Sequence, residues 1–236
     1  MNSFNIYLSL LSVVLLTACS FIIADANDQK ASSSQKKEPY EITTKEETEK
    51  IEEYHVSIDY PQTPNDQIDQ SIIDFVNQSK EKFKKISYKA HEKQNSDVTH
   101  EFSVSYDVLY EDEHVFVVKF NQSIITGDNS PVNFDSVLNF DKSKGKRLAL
   151  EDIFTKDEQH VKHLTELVNE ELSGRAELAV DAGNFTNVAL KGDRIEIYLH
   201  SDSGAEEDLI KISKIHLEDM MRSKYAEIQK SWLKEK

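Results

Sequence analysis

Two runs, Phe102-Ser-Val-Ser-Tyr-Asp-Val-Leu-Tyr110 and Val115-Phe-Val-Val-Lys-Phe120, decide how this chain folds. In the first, Phe102, Val104, Tyr106, Val108 and Tyr110 recur every second residue, the period that lines one face of a strand. β-Branched and aromatic side chains dominate both runs, which suits a pleated surface with a buried face. The acidic stretch Glu111-Asp-Glu113 between them predicts a short turn joining antiparallel neighbours.

Upstream, Tyr54, Val56, Ile58 and Tyr60 alternate as a further strand closed by Pro61. Asn65 or Asp66 then caps a helix whose apolar face is Ile68, Ile72, Phe75, Val76, Phe83 and Ile86; Lys80, Lys82, Lys84 and Lys85 lie opposite. Downstream, a strand over 133–140 turns at Asp141-Lys-Ser-Lys-Gly145, and a second helix over 157–172 ends at Gly174. Strands follow over 184–190, 194–200 and 209–215, the first two joined by Lys191-Gly-Asp193, and 217–233 carries a helical pattern. The order β-α-β-β-β-α-β-β-β-α predicts an α+β fold, antiparallel sheets with helices packed on one side. Tyr106, Tyr110, Phe116, Phe120 and Trp232 fall in these periodic patterns and are read as core.

The N-terminus sets the address. Residues 1–24 carry no charged side chain, and the apolar run Tyr7-Leu-Ser-Leu-Leu-Ser-Val-Val-Leu-Leu16 leads into Thr17-Ala-Cys19. A short apolar run ending in small residues is a secretory signal. Leu16-Thr-Ala-Cys19 resembles the bacterial lipobox, which implies diacylglycerol on the Cys19 thiol and cleavage just before it. The alternative is an uncleaved membrane anchor, since the uncharged stretch continues through Phe21-Ile-Ile-Ala24. Both place the remainder outside the cytoplasm, and the lipobox reading attaches it to the cell membrane through its lipid. Cys19 is the sole cysteine, so no disulfide framework supports the fold.

The expected domains are therefore a signal peptide at 1–18, a flexible Ser-, Gln-, Lys- and Glu-rich tether at 19–49, and one domain at 50–236 with sub-halves 50–125 and 126–236. The tether's root-mean-square reach is roughly 25–30 Å.

Charge excludes one class of partner. With 43 acidic against 28 basic residues, the net charge of -15 argues against nucleic acid and favours a cationic partner, or simple solubility. Nothing in the sequence assembles a catalytic site. His160 and His163 stand three apart as a bare HxxH with no zinc-protease partner, and read as a solvated helix start. His91, His100 and His114 read as surface. Asp202, Glu206, Glu207 and Asp208 crowd around Gly204 without the EF-hand order of ligands, so calcium is not expected. No nucleophile elbow or phosphate loop appears. The expectation is no enzyme, no metal and no cofactor.

The order of several motifs resembles a known family. Tyr60-Pro61 followed by Ile68-Asp-Gln-Ser-Ile72 resembles a domain of unknown function found ahead of the deacetylase in PdaC-type proteins. Asn139-Phe-Asp-Lys-Ser-Lys-Gly-Lys146, Leu148-Ala-Leu-Glu-Asp-Ile-Phe154, Asn184-Phe185, Arg194-Ile-Glu-Ile-Tyr198 and Ile210-Lys-Ile212 resemble the extracytoplasmic domain of RsiV-like proteins. The resemblance covers about residues 50 to 220. It implies an extracytoplasmic α+β domain and, from the RsiV side, binding of the strongly cationic enzyme lysozyme. The chain departs from that pattern in two loops, Thr126-Gly-Asp-Asn-Ser-Pro131 and His200 to Asp208. These are the expected ligand edges, contributing Asp128, Asn129, Asp202, Glu206, Glu207 and Asp208. With a lipobox and no cytoplasmic segment, the chain is not expected to be an anti-sigma factor. The expected function is a membrane-anchored, non-catalytic binding module for lysozyme or another cationic surface ligand. The alternative is a peptidoglycan-binding accessory or structural lipoprotein of the cell envelope.

Overall fold

The computed structural model describes residues 40–94, 99–127, 129–155, 157–172, 185–199, 208–217 and 219–228. In chain order the elements are β1 (Thr43–Lys50), β2 (Tyr54–Gln62), α1 (Asp66–Gln94), β3 (His100–Glu111), β4 (Val115–Ile125), β5 (Val132–Asp141) and β6 (Lys146–Leu148). They continue with α2 (Leu150–Ile153), α3 (Asp157–Glu171), β7 (Val188–Leu190), β8 (Arg194–Leu199), β9 (Asp208–Ser213), a 3-10 turn at Lys214–His216 and α4 (Ser223–Ala226). The first six strands form one sheet in sequence order, and β7-β8-β9 form a second. The α+β class and the run of antiparallel pairs are as expected, with one exception. β2 and β3 pair in parallel, which a tight turn cannot connect; the long crossover helix α1 makes it possible.

Alternation along β4 shows how the layers stack. Phe116, Val118 and Phe120 face α1, where they meet Ile68, Ile72, Val76 and Phe83 together with Ile58, Phe102 and Phe140 from neighbouring strands. Phe83 anchors this layer, edge-on to Tyr54 at 5.8 Å and stacked on Phe102 at 5.2 Å. Val115 and Val117 point the other way, into a second core shared with Val137, Leu148, the strands of the small sheet and α3 residues Leu164 and Val168. The large sheet is thus buried on both faces, by a helix on one and by a second sheet on the other.

Several boundaries differ from the sequence reading. Residues 43–49, read as tether, belong to β1, whose register runs Thr43 opposite Gln62 to Lys50 opposite His55. A strand this polar is recruited by the open edge of β2 and held by side-chain bonds from Lys80 to Glu47 and from Lys84 to Glu49, each 2.9 Å. Pro61 lies inside β2 rather than ending it, at a position past Ile58 where β3 no longer pairs. Ile86, assigned to the buried helix face, is 45% exposed. The closing helix over 217–233 is replaced, among the described residues, by the single turn α4. There Met221 bridges Phe154 in extended form and the backbone of Thr155 donates to Met220. No helix of the described residues is long and apolar enough to cross a membrane.

Candidate functional site

Two asparagines join the sheets. β6 covers only the end of β5, leaving backbone groups of β5 bare at Val137 and Asp135. Asn187 fills that gap: its Oδ1 accepts from the Val137 N–H at 3.1 Å and its Nδ2 donates to the Asp135 carbonyl at 3.0 Å. Asn139 does the reverse for the edge of β7, donating to the Val188 carbonyl at 2.6 Å and accepting from the Leu190 N–H at 2.7 Å. Each amide imitates a missing strand, a good solution for buried backbone groups that must be paired.

One turn further, Asp141 is fully buried and its carboxylate is filled with donors. It accepts from the Ser143 N–H and hydroxyl, the Lys144 N–H, both-oxygen contacts from Lys224 Nζ at 2.8 Å, and the Tyr225 hydroxyl at 2.9 Å. Burial alone raises such a carboxyl, but the bonds from Lys224, Ser143 and Tyr225 outweigh it and hold Asp141 far below the ordinary range. The same bond, added to burial, pushes the Tyr225 hydroxyl well up. The Asp141–Gly145 turn also locks onto the start of α1, where Asn65 Nδ2 donates to the Lys142 carbonyl. Gly145 sits at φ 61°, and a Cβ there falls 2.4 Å from Gln67 Oε1 and 2.6 Å from Gln67 Cβ. Only glycine meets both demands.

These elements frame two adjoining cavities. A wider one of about 650 Å³ lies along β5, β6, α2 and the start of β7, with Val137, Leu148, Val161 and Phe185 as apolar wall and Asn139 among its polar groups. A narrower one of about 230 Å³ is lined by Asp141, Lys144, Lys146, Asp152, Arg222 and Lys224, with Leu148 and Tyr225. Lys146, Leu148 and Asp152 line both. The Lys146 bond, helped by the Ala149 N–H, holds Asp152 below the usual carboxylate range. The result is a partly apolar groove with one basic end, a shape suited to binding a polar ligand that carries negative charge.

Of the residues expected at ligand edges, Asn129 and Asp208 are described, and neither is among those lining this groove. Cys19, Asp128, Asp202, Glu206 and Glu207 lie outside the described residues. Asn129 is exposed on the β4–β5 connection, where its amide and side chain bond back to the Thr126 carbonyl. Asp208 is the first residue of β9, paired with Leu199. Two histidine readings also change. His100 is not on the surface: it is fully buried at the start of β3 with both ring nitrogens unpartnered, and burial, then neighbouring His91, depress its pKa. His160 is not a solvated residue at a helix start: it is 2% exposed, its ring stacked on Phe154 at 4.7 Å. His163 reaches the His216 carbonyl at 3.2 Å and does not join it in a site. Among the described residues no three His, Cys, Asp or Glu side chains gather as a metal site. The groove residues Asn139, Asp141 and Lys146 were present in the sequence as a motif, but their roles depend on Asn187, Arg222, Lys224 and Tyr225, which no local pattern connects to them.

Known proteins share this architecture. A DUF3298 family protein from Pseudomonas aeruginosa PAO1 superimposes with a TM-score of 0.59 at 15% identity, covering 81% of this chain and 98% of that one. A DUF3298 family member from Bacteroides fragilis gives 0.56 at 16% identity, covering 78% and 94%. This chain has the DUF3298 fold. In sequence, an alignment of 193 positions that covers 75% of this chain is 24% identical to the peptidoglycan-N-acetylmuramic acid deacetylase PdaC of Bacillus subtilis. The chain spans 41% of that enzyme's length. No family model matches the chain.

Proposed function

We propose that this chain is a non-catalytic binding module of the cell envelope, anchored outside the membrane by acyl chains on Cys19, whose groove seats a peptidoglycan strand. The observation that carries the reading is the groove itself. It combines apolar wall, fixed amides and cations at the joint of two sheets, on elements whose rotamers are locked by buried bonds. The partial alignment to an enzyme named for peptidoglycan supports the choice of ligand. Purified full-length chain mixed with isolated cell walls is expected to sediment with them at about 150 mM salt, where weak surface attraction is largely screened. A chain left wholly in the supernatant overturns the proposal. Incubation with the same walls is expected to release no acetate; steady release marks an enzyme instead. For the anchor, a radiolabelled lipid precursor is expected to label the wild type and not Cys19→Ser.

A second reading, sequestration of lysozyme or another cationic protein, is favoured by the net charge of -15. This reading assigns the contact to acidic residues at sequence positions 128 and 202–208 rather than to the groove cations, so groove substitutions are expected to leave lysozyme retention unchanged.

A further inference from the structure

We propose that the basic end of the groove is a carboxylate-binding pocket, and that the wall ligand enters it with a carboxylate carried on muramic acid. The identity of the polymer rests on the wall-binding reading above; the chemistry of the pocket does not.

The pocket is a positive spot on an acidic molecule. Lys144, Lys146, Arg222 and Lys224 surround it against Asp141 and Asp152, so four cations face two carboxylates in a chain of net charge -15. Including the wider cavity adds Arg147 and Glu151 and leaves the same excess of two positive charges. Both carboxylates of the narrow pocket are already engaged. Asp141 is sealed beneath the surface by Ser143, Lys144 N–H, Lys224 and Tyr225. Asp152 closes the turn at Ala149 and takes Lys146 at its other oxygen. Lys144 is exposed and has no ion pair among the described residues, and the one side-chain bond of Arg222 goes to the Glu151 carbonyl. Lys144 and Arg222 therefore keep donors for an incoming anion. The guanidinium offers the planar fork that suits a carboxylate.

Geometry selects the ligand. The narrow cavity of about 230 Å³ accepts a small charged substituent, and the wider one beside it, sharing Lys146 and Leu148, accepts the ring that bears it. Muramic acid differs from glucosamine by a lactyl ether ending in a carboxyl group. That carboxylate is free on glycan stripped of peptide; on intact strands it is amidated, and the stem peptide supplies carboxylates of its own. One chemistry serves both sources.

The test titrates the full chain with three soluble probes: peptide-free muramic-acid glycan, intact muropeptide, and an N-acetylglucosamine oligomer with no carboxylate. Binding to either of the first two and not to the third is expected, and which of the two binds identifies the source. The exposed double substitution K144E with R222E is expected to weaken that binding by about tenfold or more, with an unchanged thermal midpoint. Equal binding of the uncharged oligomer, or an unaffected double variant, overturns the pocket. If wall sedimentation persists while the carboxylate preference is absent, the pocket fails and the wall-binding function stands. If carboxylate probes bind while walls do not, the function fails and the pocket stands.

Discussion

Gly145 and His100 show what single residues contribute to this fold. With φ at 61° and Gln67 and Asn65 closing in on the missing Cβ, Gly145→Ala strains the turn and displaces the start of α1 together. A loss of about 1–3 kcal/mol in urea unfolding is expected, without the change in slope that loss of compactness brings. His100 acts through protonation. Its folded pKa is depressed by burial, so the unfolded chain binds the proton more readily. Stability is then fully present above the unfolded value of about 6.5 and falls as pH drops through it toward the folded value. Urea midpoints compared at pH 7.5 and pH 5 are expected to fall less for His100→Leu than for wild type; an identical fall assigns the acid sensitivity elsewhere. Neither role is legible locally, because His100 sits among polar letters and Gly145 ends an ordinary-looking turn. Asp141 is the sharper case: its motif is visible, but Lys224 and Tyr225 lie 83 and 84 residues away.

Elements read well where one face is apolar and badly where neither is. β3, β4 and the body of α1 follow from alternation and helical spacing because each buries a row of large side chains. β1 carries Thr-Thr-Lys-Glu-Glu-Thr-Glu-Lys, polar on both faces, and its place comes from backbone pairing plus Glu47 and Glu49 reaching Tyr60, Tyr54 and the lysines of α1. Such a charged strand suits a sheet edge, where it discourages further pairing. The opposite error befell the C-terminal segment. Met220, Met221, Tyr225 and Ile228 have helical spacing, yet Met221 bridges a strand-like partner, Tyr225 is fixed by Asp141, and Ile228 is 61% exposed. The joint between sheets offers a direct test at this scale. Asn187→Ala strips partners from the Val137 N–H and Asp135 carbonyl, and a cost of about 1–3 kcal/mol is expected. Combined with Asn139→Ala in a double-mutant cycle, the two losses are expected to be non-additive, because both act on one interface.

At the scale of the whole molecule, the order of strands and helices foretold an α+β domain, while the stacking of two sheets was beyond it. Total charge pointed to a cationic partner, and the groove carries the reverse sign. The average of -15 concealed this, since long-range folding alone brings Lys144 and Lys146 beside Arg222 and Lys224. Net charge governs solubility and long-range attraction; a site is decided by which charges converge. Amide chemical-shift mapping of the isotope-labelled chain with soluble muropeptide tests the groove most directly. Shifts concentrated at 139–152 and 222–225 are expected, and shifts confined to the β4–β5 and β8–β9 connections, or none at all, would contradict it.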